Sequence, residues 1–466
     1  GNYALYSNTT ASNNTAVGYQ AGYKNTTGTL NTYIGEQAGF WATTGSSNTV
    51  LGADAYAATN TATGSYNTAI GQAALWSNTT ASNNTAVGYQ AGYANTTGAD
   101  ETAVGRRALY SNTTGYANDA FGVNSLNANT TGTRNVAVGA YSLDANTTGN
   151  YNVGLGHQAL TANTTASNNT AVGYTAGYSN TTGAQNTFIG RQASNKNTTG
   201  LYNSSFGNDA MFYNTTGGYN TALGANALAS NTTASNNTAV GFEAGYSNTT
   251  GGRLTAFGYQ AGYNCTATGT VQNAFFGNEA GLGNTSGTNN TYIGGSSATL
   301  MTTGSSNTLI GAYNGNQGGL DIRTSSNNIV LSDGDGNPRL YLTSGGALNV
   351  AELDSLTTAS AANIFIATDG FLKKSTSSLR YKNTVNDATH GLTELMTLRS
   401  VTYKGNSDGD TVFGGLIAEE VHSAGLTEFV QYNDDGEPDA LAYSNMVSLC
   451  IKAIQEQQAT ITALTA

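Results

Sequence analysis

Two prolines, two cysteines and three histidines are all that this chain of 466 residues holds of those types. Charge is scarce too: Asp, Glu, Lys and Arg make up 9%, against about 25% in an ordinary globular domain. Each shortage excludes something. Cys265 and Cys450 lie far apart, so no disulfide framework staples the chain. The net charge is −11 with no basic cluster, so nucleic acid is not an expected partner, because neutralising phosphates takes Lys and Arg. No apolar run approaches the ~20 residues of a membrane-spanning helix, and no signal-peptide pattern is present. Membrane insertion is therefore not expected. The chain opens in mid-pattern and without Met; it is expected to be a fragment or processed product that lacks an N-terminal attachment region. The few charges are also unevenly spread. Residues 1–311 hold 7 of the 16 basic and 9 of the 27 acidic residues, leaving 9 and 18 to the remainder. A boundary falls near residue 312.

What the chain has in quantity is glycine, 60 residues of it, together with Asn and Thr. Such a composition usually marks a disordered, low-complexity segment. Here the bias is strictly periodic. A short word ending in Gly recurs, as in Asn14-Thr-Ala-Val-Gly18, Asn31-Thr-Tyr-Ile-Gly35, Asn84-Thr-Ala-Val-Gly88, Asn186-Thr-Phe-Ile-Gly190 and Asn307-Thr-Leu-Ile-Gly311. Its closing glycines run from Gly1 to Gly311 in steps of 17 residues, except for steps of 19 at Gly52–Gly71 and Gly258–Gly277. Two-residue insertions belong in turns, and are expected near 57–63 and 264–270.

Within a period each position has its own chemistry. The residue before Gly is always apolar (Val17, Ile34, Leu51, Phe121, Leu155), the residue two earlier is small, and the one between varies from Ala to Tyr. This period of two predicts a strand with one face packed inside, the constant apolar residue marking that face. Three residues after Gly stands Ala or Ser (Ala21, Ala38, Ala91, Ala244), where the chain approaches another backbone closely. Tyr is frequent two further on (Tyr6, Tyr23, Tyr93, Tyr110, Tyr178), followed by the turn sequence Asn-Thr-Thr-Gly. Seventeen residues are too few for a helix pair and fit one coil of a parallel β-solenoid, with two short strands and two turns. Asn8, Asn25, Asn95, Asn112, Asn146 and Asn180 would then stack as an amide ladder. At ~4.8 Å per coil the array would be a rod roughly 90 Å long. Its core is thin for a single chain, so chains are expected to pack together.

The word Asn-Thr-Ala-Val-Gly-x-x-Ala resembles the head repeat of trimeric autotransporter adhesins, although the period here is longer. That resemblance, which covers residues 1–311, implies a β-roll assembled from three chains.

Residues 312–376 read as a β-rich connector of short strands and turns. Asp333, Asp335 and Asn337 echo the opening of a calcium loop, but its twelfth position is Ser344 rather than Glu. The Asp-Gly pairs point instead to a hairpin turn, and neither a metal nor a cofactor is expected. Beyond lies Ser375-Thr-Ser-Ser-Leu-Arg-Tyr-Lys382-Asn. A Ser hydroxyl becomes a nucleophile when a base takes its proton, and a buried Lys of lowered pKa can serve. Such a pair needs no His. From these residues alone, a polar linker with a solvated lysine remains the simpler reading.

Four words in order change that balance: the serine-rich stretch, Leu398-Arg-Ser-Val-Thr-Tyr-Lys404, Phe413-Gly-Gly-Leu-Ile-Ala-Glu-Glu-Val421, and Tyr443 ahead of a terminal helix with Ala453-Ile-Gln-Glu456. Together they resemble the C-terminal intramolecular chaperone of phage endosialidases and tail fibres, a self-cleaving serine peptidase. The resemblance covers residues 377–466. It implies Ser377 as nucleophile, Lys382 as its base and cleavage between Thr376 and Ser377. In the last helix Val447, Cys450, Ile454, Gln457, Ile461 and Leu464 alternate at spacings of three and four, as on a coiled-coil seam. Under three heptads is marginal alone, so the seam is read as helping three chains into register, with Cys450 a small core residue.

The expected architecture is therefore mainly β: a 17-residue-coil solenoid (1–311), a β-rich connector (312–376) and a small α+β chaperone domain (377–466) ending in a coiled-coil helix. The expected protein is a homotrimeric tail fibre or spike of a virion, or otherwise extracellular. Its host receptor would be a surface glycan, and its only catalysis one self-cleavage. A cell-surface trimeric adhesin is the alternative. A glycan-degrading spike is less favoured, because glycosidases need two convergent carboxylates and the shaft's acids are scattered. Asp100–Glu101 is its only adjacent pair, and reads as a solvated turn.

Overall fold

In the computed structural model, residues 1–58, 60–350, 384–406, 410–433 and 435–466 are described, with the backbone of two strands, Ile364–Ile366 and Leu372–Lys374. The chain forms two compact units, Gly1–Leu356 and Thr357–Ala466.

The first unit is a parallel β-solenoid. Each coil contributes one three-residue strand, such as Thr85–Val87, paired in parallel and in register with the same word one coil on: Thr85 with Thr102, Ala86 with Ala103, Val87 with Val104. A second strand per coil was expected; apart from the two-residue strands Gly251–Gly252 and Gly269–Thr270, which pair in parallel, the structure fills that part of the coil with tight turns. The turns still stack by backbone hydrogen bonds one period apart, for example Leu109 N–H to Ser125 O (3.0 Å), Ser111 N–H to Asn127 O (2.9 Å) and Thr113 N–H to Thr130 O (2.9 Å). The stacking supports a costly backbone. In the coil that starts at Gly105, Arg107, Leu109 and Ala117 all take left-handed φ values of 52–57°, each costing roughly 1–2 kcal/mol for a residue with a side chain. The closing glycine has a stricter reason. Gly88 has φ +135°, and a Cβ there would sit 2.6 Å from the carbonyl oxygen of Gly105 on the next coil.

The strand faces the other way from the sequence expectation. The variable middle residue is the buried one (Tyr33, Val50, Ala103, Phe188, Leu309), whereas the constant apolar residue before Gly points outward. Variation inside is tolerated because volume is compensated between adjacent positions. Tyr33 is flanked by Gly22 and Gly39, whose missing side chains would collide with its ring. Where the middle residue is Ala103, Ala120 or Ala137, the corresponding positions carry buried Leu109, Leu126 and Leu143. Ala21, Ala38, Ala91 and Ala244 are fully buried, as close approach requires.

Two Asn ladders run through this interior. The expected one is present: Asn129 Nδ2 donates to Asn112 Oδ1 (2.8 Å), and Asn146 Nδ2 to Asn129 Oδ1 (2.8 Å). The same amides close their own turns, Asn129 Nδ2 also reaching Gly132 O at 3.0 Å. A second ladder, built by the first Asn of each word, links side-chain oxygen to backbone: Asn31 N–H to Asn14 Oδ1 (2.9 Å), Asn48 N–H to Asn31 Oδ1 (2.9 Å). Buried amides without partners would cost about 1–3 kcal/mol each; the ladders satisfy most of them, with Asn25 Oδ1, Asn231 Oδ1, Asn237 Nδ2 and Asn284 Oδ1 left over.

The parallel stack continues past Gly311. Ile329–Ser332 pairs in parallel with Thr308–Ile310, and Asn328 N–H extends the second ladder to Asn307 Oδ1 (2.9 Å). Pro338–Leu342 and Leu348–Val350 then add antiparallel strands. Between Ile329–Ser332 and Pro338–Leu342, Asp333 forms the hairpin turn. Its carboxylate accepts from the backbone N–H of Asp335 (3.1 Å) and of Asn337 (2.8 Å) and from Arg339 Nη2 (2.7 Å), contacts that hold its carboxyl below the usual carboxylate range.

The second unit is small and mixed. Helix α1 (Leu392–Leu395), the hairpin Val401–Lys404/Val412–Gly415, helix α2 (Ala418–Ser423), the hairpin Val430–Tyr432/Pro438–Leu441 and helix α3 (Val447–Thr465) follow in order. Their core is Val421, Leu426, Phe429, Val430, Met446 and Leu449. Helix α3 buries Leu449 and Ala453 and holds α1 through Leu392 N–H to Glu456 Oε2 (2.8 Å).

Candidate functional site

The residues expected to carry chemistry, Thr376, Ser377 and Lys382, lie outside the described residues. What the structure places are the surfaces on either side of them. In the second unit, Tyr443 is fixed by two hydrogen bonds to one residue: its Oη accepts from Leu416 N–H (2.7 Å) and donates to Leu416 O (3.2 Å). The word Phe413–Val421 and the start of the terminal helix are thereby tied together. Arg399 clamps Glu420 in two-pronged fashion (2.6 and 2.9 Å), lowering the Glu420 carboxyl's pKa. His390 Nδ1 lies 2.7 Å from Glu428 Oε1, which favours its protonated form.

All six proposed seam residues of α3, namely Val447, Cys450, Ile454, Gln457, Ile461 and Leu464, are exposed in the single chain, with Ile451 beside them. The helix therefore has two apolar faces. One is spent on the unit's own core, and the other, from Val447 to Leu464, is uncovered. Cys450 sits on the uncovered face. Cys265, by contrast, is buried between the amides of Asn273 and Asn284 (both 3.8 Å from Sγ), and burial pushes its thiol pKa up.

The solenoid carries the corresponding feature on a larger scale. From Val17 to Leu331 the residue before the turn is apolar at every rung, and no rung is buried. Val17, Leu51, Leu155, Leu223 and Ile310 are between 43% and 56% exposed. The sequence expectation puts this column inside, and the structure puts it on the surface. Aromatic side chains stack in a further column on the turns, Trp76 on Tyr93 on Tyr110 and Tyr6 on Tyr23 on Phe40, with ring centroids 5.1–5.2 Å apart.

One acidic residue departs from expectation. Glu101 occupies an Asn position of the second ladder and is 3% exposed, so it is no solvated turn residue. Its Oε1 accepts from Asn112 Nδ2 (2.8 Å) and Asn118 Nδ2 (3.2 Å), while Oε2 has no partner. Burial, reinforced by the nearby Asp119 charge and opposed by the Asn118 bond, pushes its pKa up to about 8. Asp100, its neighbour, stays outside and accepts from Asn83 Nδ2 (3.1 Å).

Among the described residues no group of three or more His, Cys, Asp or Glu side chains converges to hold a metal ion, and no helix is long and apolar enough to cross a membrane. No protein-family model matches the chain, and neither a curated protein nor a solved structure does. The class that the fold defines is a β-solenoid repeat protein with a small α+β unit at its C-terminal end.

Proposed function

We propose that the chain is the shaft of a homotrimeric fibre of the tail-fibre or tailspike kind, which binds a host-surface glycan and whose C-terminal unit aligns three chains and then cuts itself off. The observation that carries the reading is the outward apolar column. A solvent-facing position in a lone chain has no need to be apolar nineteen times running. At ~4.8 Å per rung the column is roughly 90 Å long. A strip about 8–10 Å wide then gives on the order of 800 Å², the area per partner of a stable interface. A surface that repeats apolar groups at the coil spacing over such a length is matched by another solenoid of the same spacing, which is to say by a second copy. The uncovered face of α3 supports the same partner at the other end of the chain. The resemblance to trimeric adhesin heads supports three chains rather than two.

Register is the physical problem of such an assembly, because near-identical coils can pair one rung out of step at little cost. A folded end unit with its own seam removes the ambiguity. In the cleavage step the Ser377 oxygen would attack the Thr376 carbonyl carbon as neutral Lys382 takes the hydroxyl proton. The Ser377 amine would leave with that proton, and water would hydrolyse the resulting ester. Losing the end unit makes assembly hard to reverse, a form of kinetic stability.

The test is the intact mass of freshly expressed wild-type protein beside Ser377→Ala, with sedimentation velocity on both. Wild type is expected to split between Thr376 and Ser377, the variant to stay whole, and both to sediment as three chains. Full-length wild type under assembled conditions would refute the cleavage; a monomeric shaft would refute the fibre.

A further inference from the structure

The aromatic column on the turns has a gap with walls. Five residues after each closing glycine, consecutive rungs carry Phe212, Ala229, Tyr246 and Tyr263. Tyr246 and Tyr263 stack at 5.1 Å and 7°, the geometry found elsewhere in the column. Ala229 omits one ring between Phe212 and Tyr246, which are therefore two rungs, roughly 10 Å, apart. A third ring placed midway would lie about as far from each as the chain's own stacked rings lie from one another.

The gap is a real opening, a slot of about 250 Å³ lined by Phe212, Ala229, Tyr246, Tyr213, Gln192, Asp209 and Asn226. Asn195 also interrupts the column, between Tyr178 and Phe212, but it is buried and plugs its own gap, donating from Nδ2 to Thr175 O (3.1 Å). Ala229 has nothing with which to do the same.

The lining selects the guest. Two aromatic faces suit a ring with apolar C–H faces. Along the side run the polar groups of Gln192, Asp209 and Asn226. A purely aromatic guest would add no hydrogen bond to that side, whereas a ring edged with hydroxyls can add to the bonds these groups already make, such as Arg191 Nη1 to Gln192 Oε1 (2.8 Å). Asp209 Oδ2 is already engaged by Asn208 Nδ2 (2.7 Å) and Arg191 Nη2 (3.2 Å), while Oδ1 has no partner. The one carboxylate of the lining is already paired with Arg191, and no Lys or Arg lines the slot itself, so nothing there is placed to hold an anionic sugar.

We propose that this slot binds one neutral hexopyranose unit, its faces against Phe212 and Tyr246 and its hydroxyls toward Gln192, Asp209 and Asn226. The site gives the glycan adhesion proposed above a location and rests on that reading only for its biological purpose. Chain number and cleavage at Ser377 are read by other measurements, so either idea can fail alone.

The experiment is saturation-transfer NMR on the full chain with methyl glycosides of glucose, galactose and mannose, and with phenol, followed by titration of whichever binds. At least one glycoside is expected to bind. Ala229→Tyr is expected to complete the aromatic column and weaken that binding at least tenfold, with an unchanged circular dichroism spectrum. Asp209→Asn keeps the shape of the slot and is expected to weaken binding several-fold; it decides the matter should the tyrosine variant misfold. Binding of phenol alone, binding of none of the three glycosides, or glycoside affinity unchanged in a folded variant would overturn the proposal.

Discussion

Raising the pH should loosen the solenoid around Glu101 while leaving the Glu101→Gln variant unaffected. In the folded chain burial holds the carboxyl pKa at about 8, against 4.5 for the exposed group. Between those values the folded state keeps a proton that the unfolded state has released. Stability therefore falls as pH rises. The contribution of the neutral carboxyl is fully present below about pH 4.5 and is lost as pH climbs through about 8. A shift of three to four units at about 1.4 kcal/mol each comes to about 5 kcal/mol. About 3 kcal/mol of this falls between pH 5.5 and 8.5, which makes local opening more frequent by on the order of a hundredfold. A repeat array opens locally rather than as a whole, so the assay is amide hydrogen exchange over residues 84–118, wild type against Glu101→Gln at each pH. Comparing the two at the same pH cancels the intrinsic pH dependence of exchange. At pH 5.5 they should be protected alike, and at pH 8.5 the wild type should exchange far faster in that segment alone. A wild-type-to-variant ratio that stays constant from pH 5.5 to 8.5 would refute the reasoning.

Two further predictions separate the roles of repeated residues. Gly88→Ala places a Cβ against Gly105 O at φ +135° and should cost about 3 kcal/mol or more. Gly98→Ala also crowds a backbone oxygen, that of Gly115, but it needs no left-handed φ, and Ala81, Ala166 and Ala234 show that a coil can shift to take an alanine at that position, so it should cost less than Gly88→Ala; thermal unfolding monitored by circular dichroism ranks the pair. Phe206→Lys with Leu223→Lys on the shaft, or Ile454→Asp with Ile461→Asp on α3, should leave the single-chain fold intact and abolish the three-chain species in sedimentation velocity. Trimers at wild-type yield in both variants would remove the apolar column and the helix seam from the interface.

The period, the invariant glycine, the buried alanine and one Asn ladder were legible in the sequence because each has a steric or hydrogen-bonding requirement that a single residue type meets. The facing of the strand was not. Alternation defines two faces without saying which is inside, and a constant apolar residue is not by itself the mark of a core. In this solenoid the inner position varies freely because Gly22 and Gly39 make room for Tyr33 and Leu109 fills the space beside Ala103. Such compensation between residues of neighbouring strands and turns is invisible to a reading of one column at a time. Glu101 was misread for a related reason: an acidic residue beside Asp100 looks solvated until the register shows it standing in for a buried Asn. The chemistry expected at Ser377 and Lys382 rests only on the order of four words, and those residues lie outside the described part of the chain.

The paired volumes inside the rod also govern how it can change length in evolution. Coils behave like dominoes, not beads. A ring such as Tyr33 needs Gly22 and Gly39 on either side of it to stay empty, and the space at Gly177 is filled from its neighbours by Leu160 and Phe188. Copying a block whose open end matches its own beginning lengthens the rod without disturbing it, whereas splicing in a coil of the other kind either wedges the joint or leaves it hollow. Length variants should therefore arise in whole coils, and at only some of the joints.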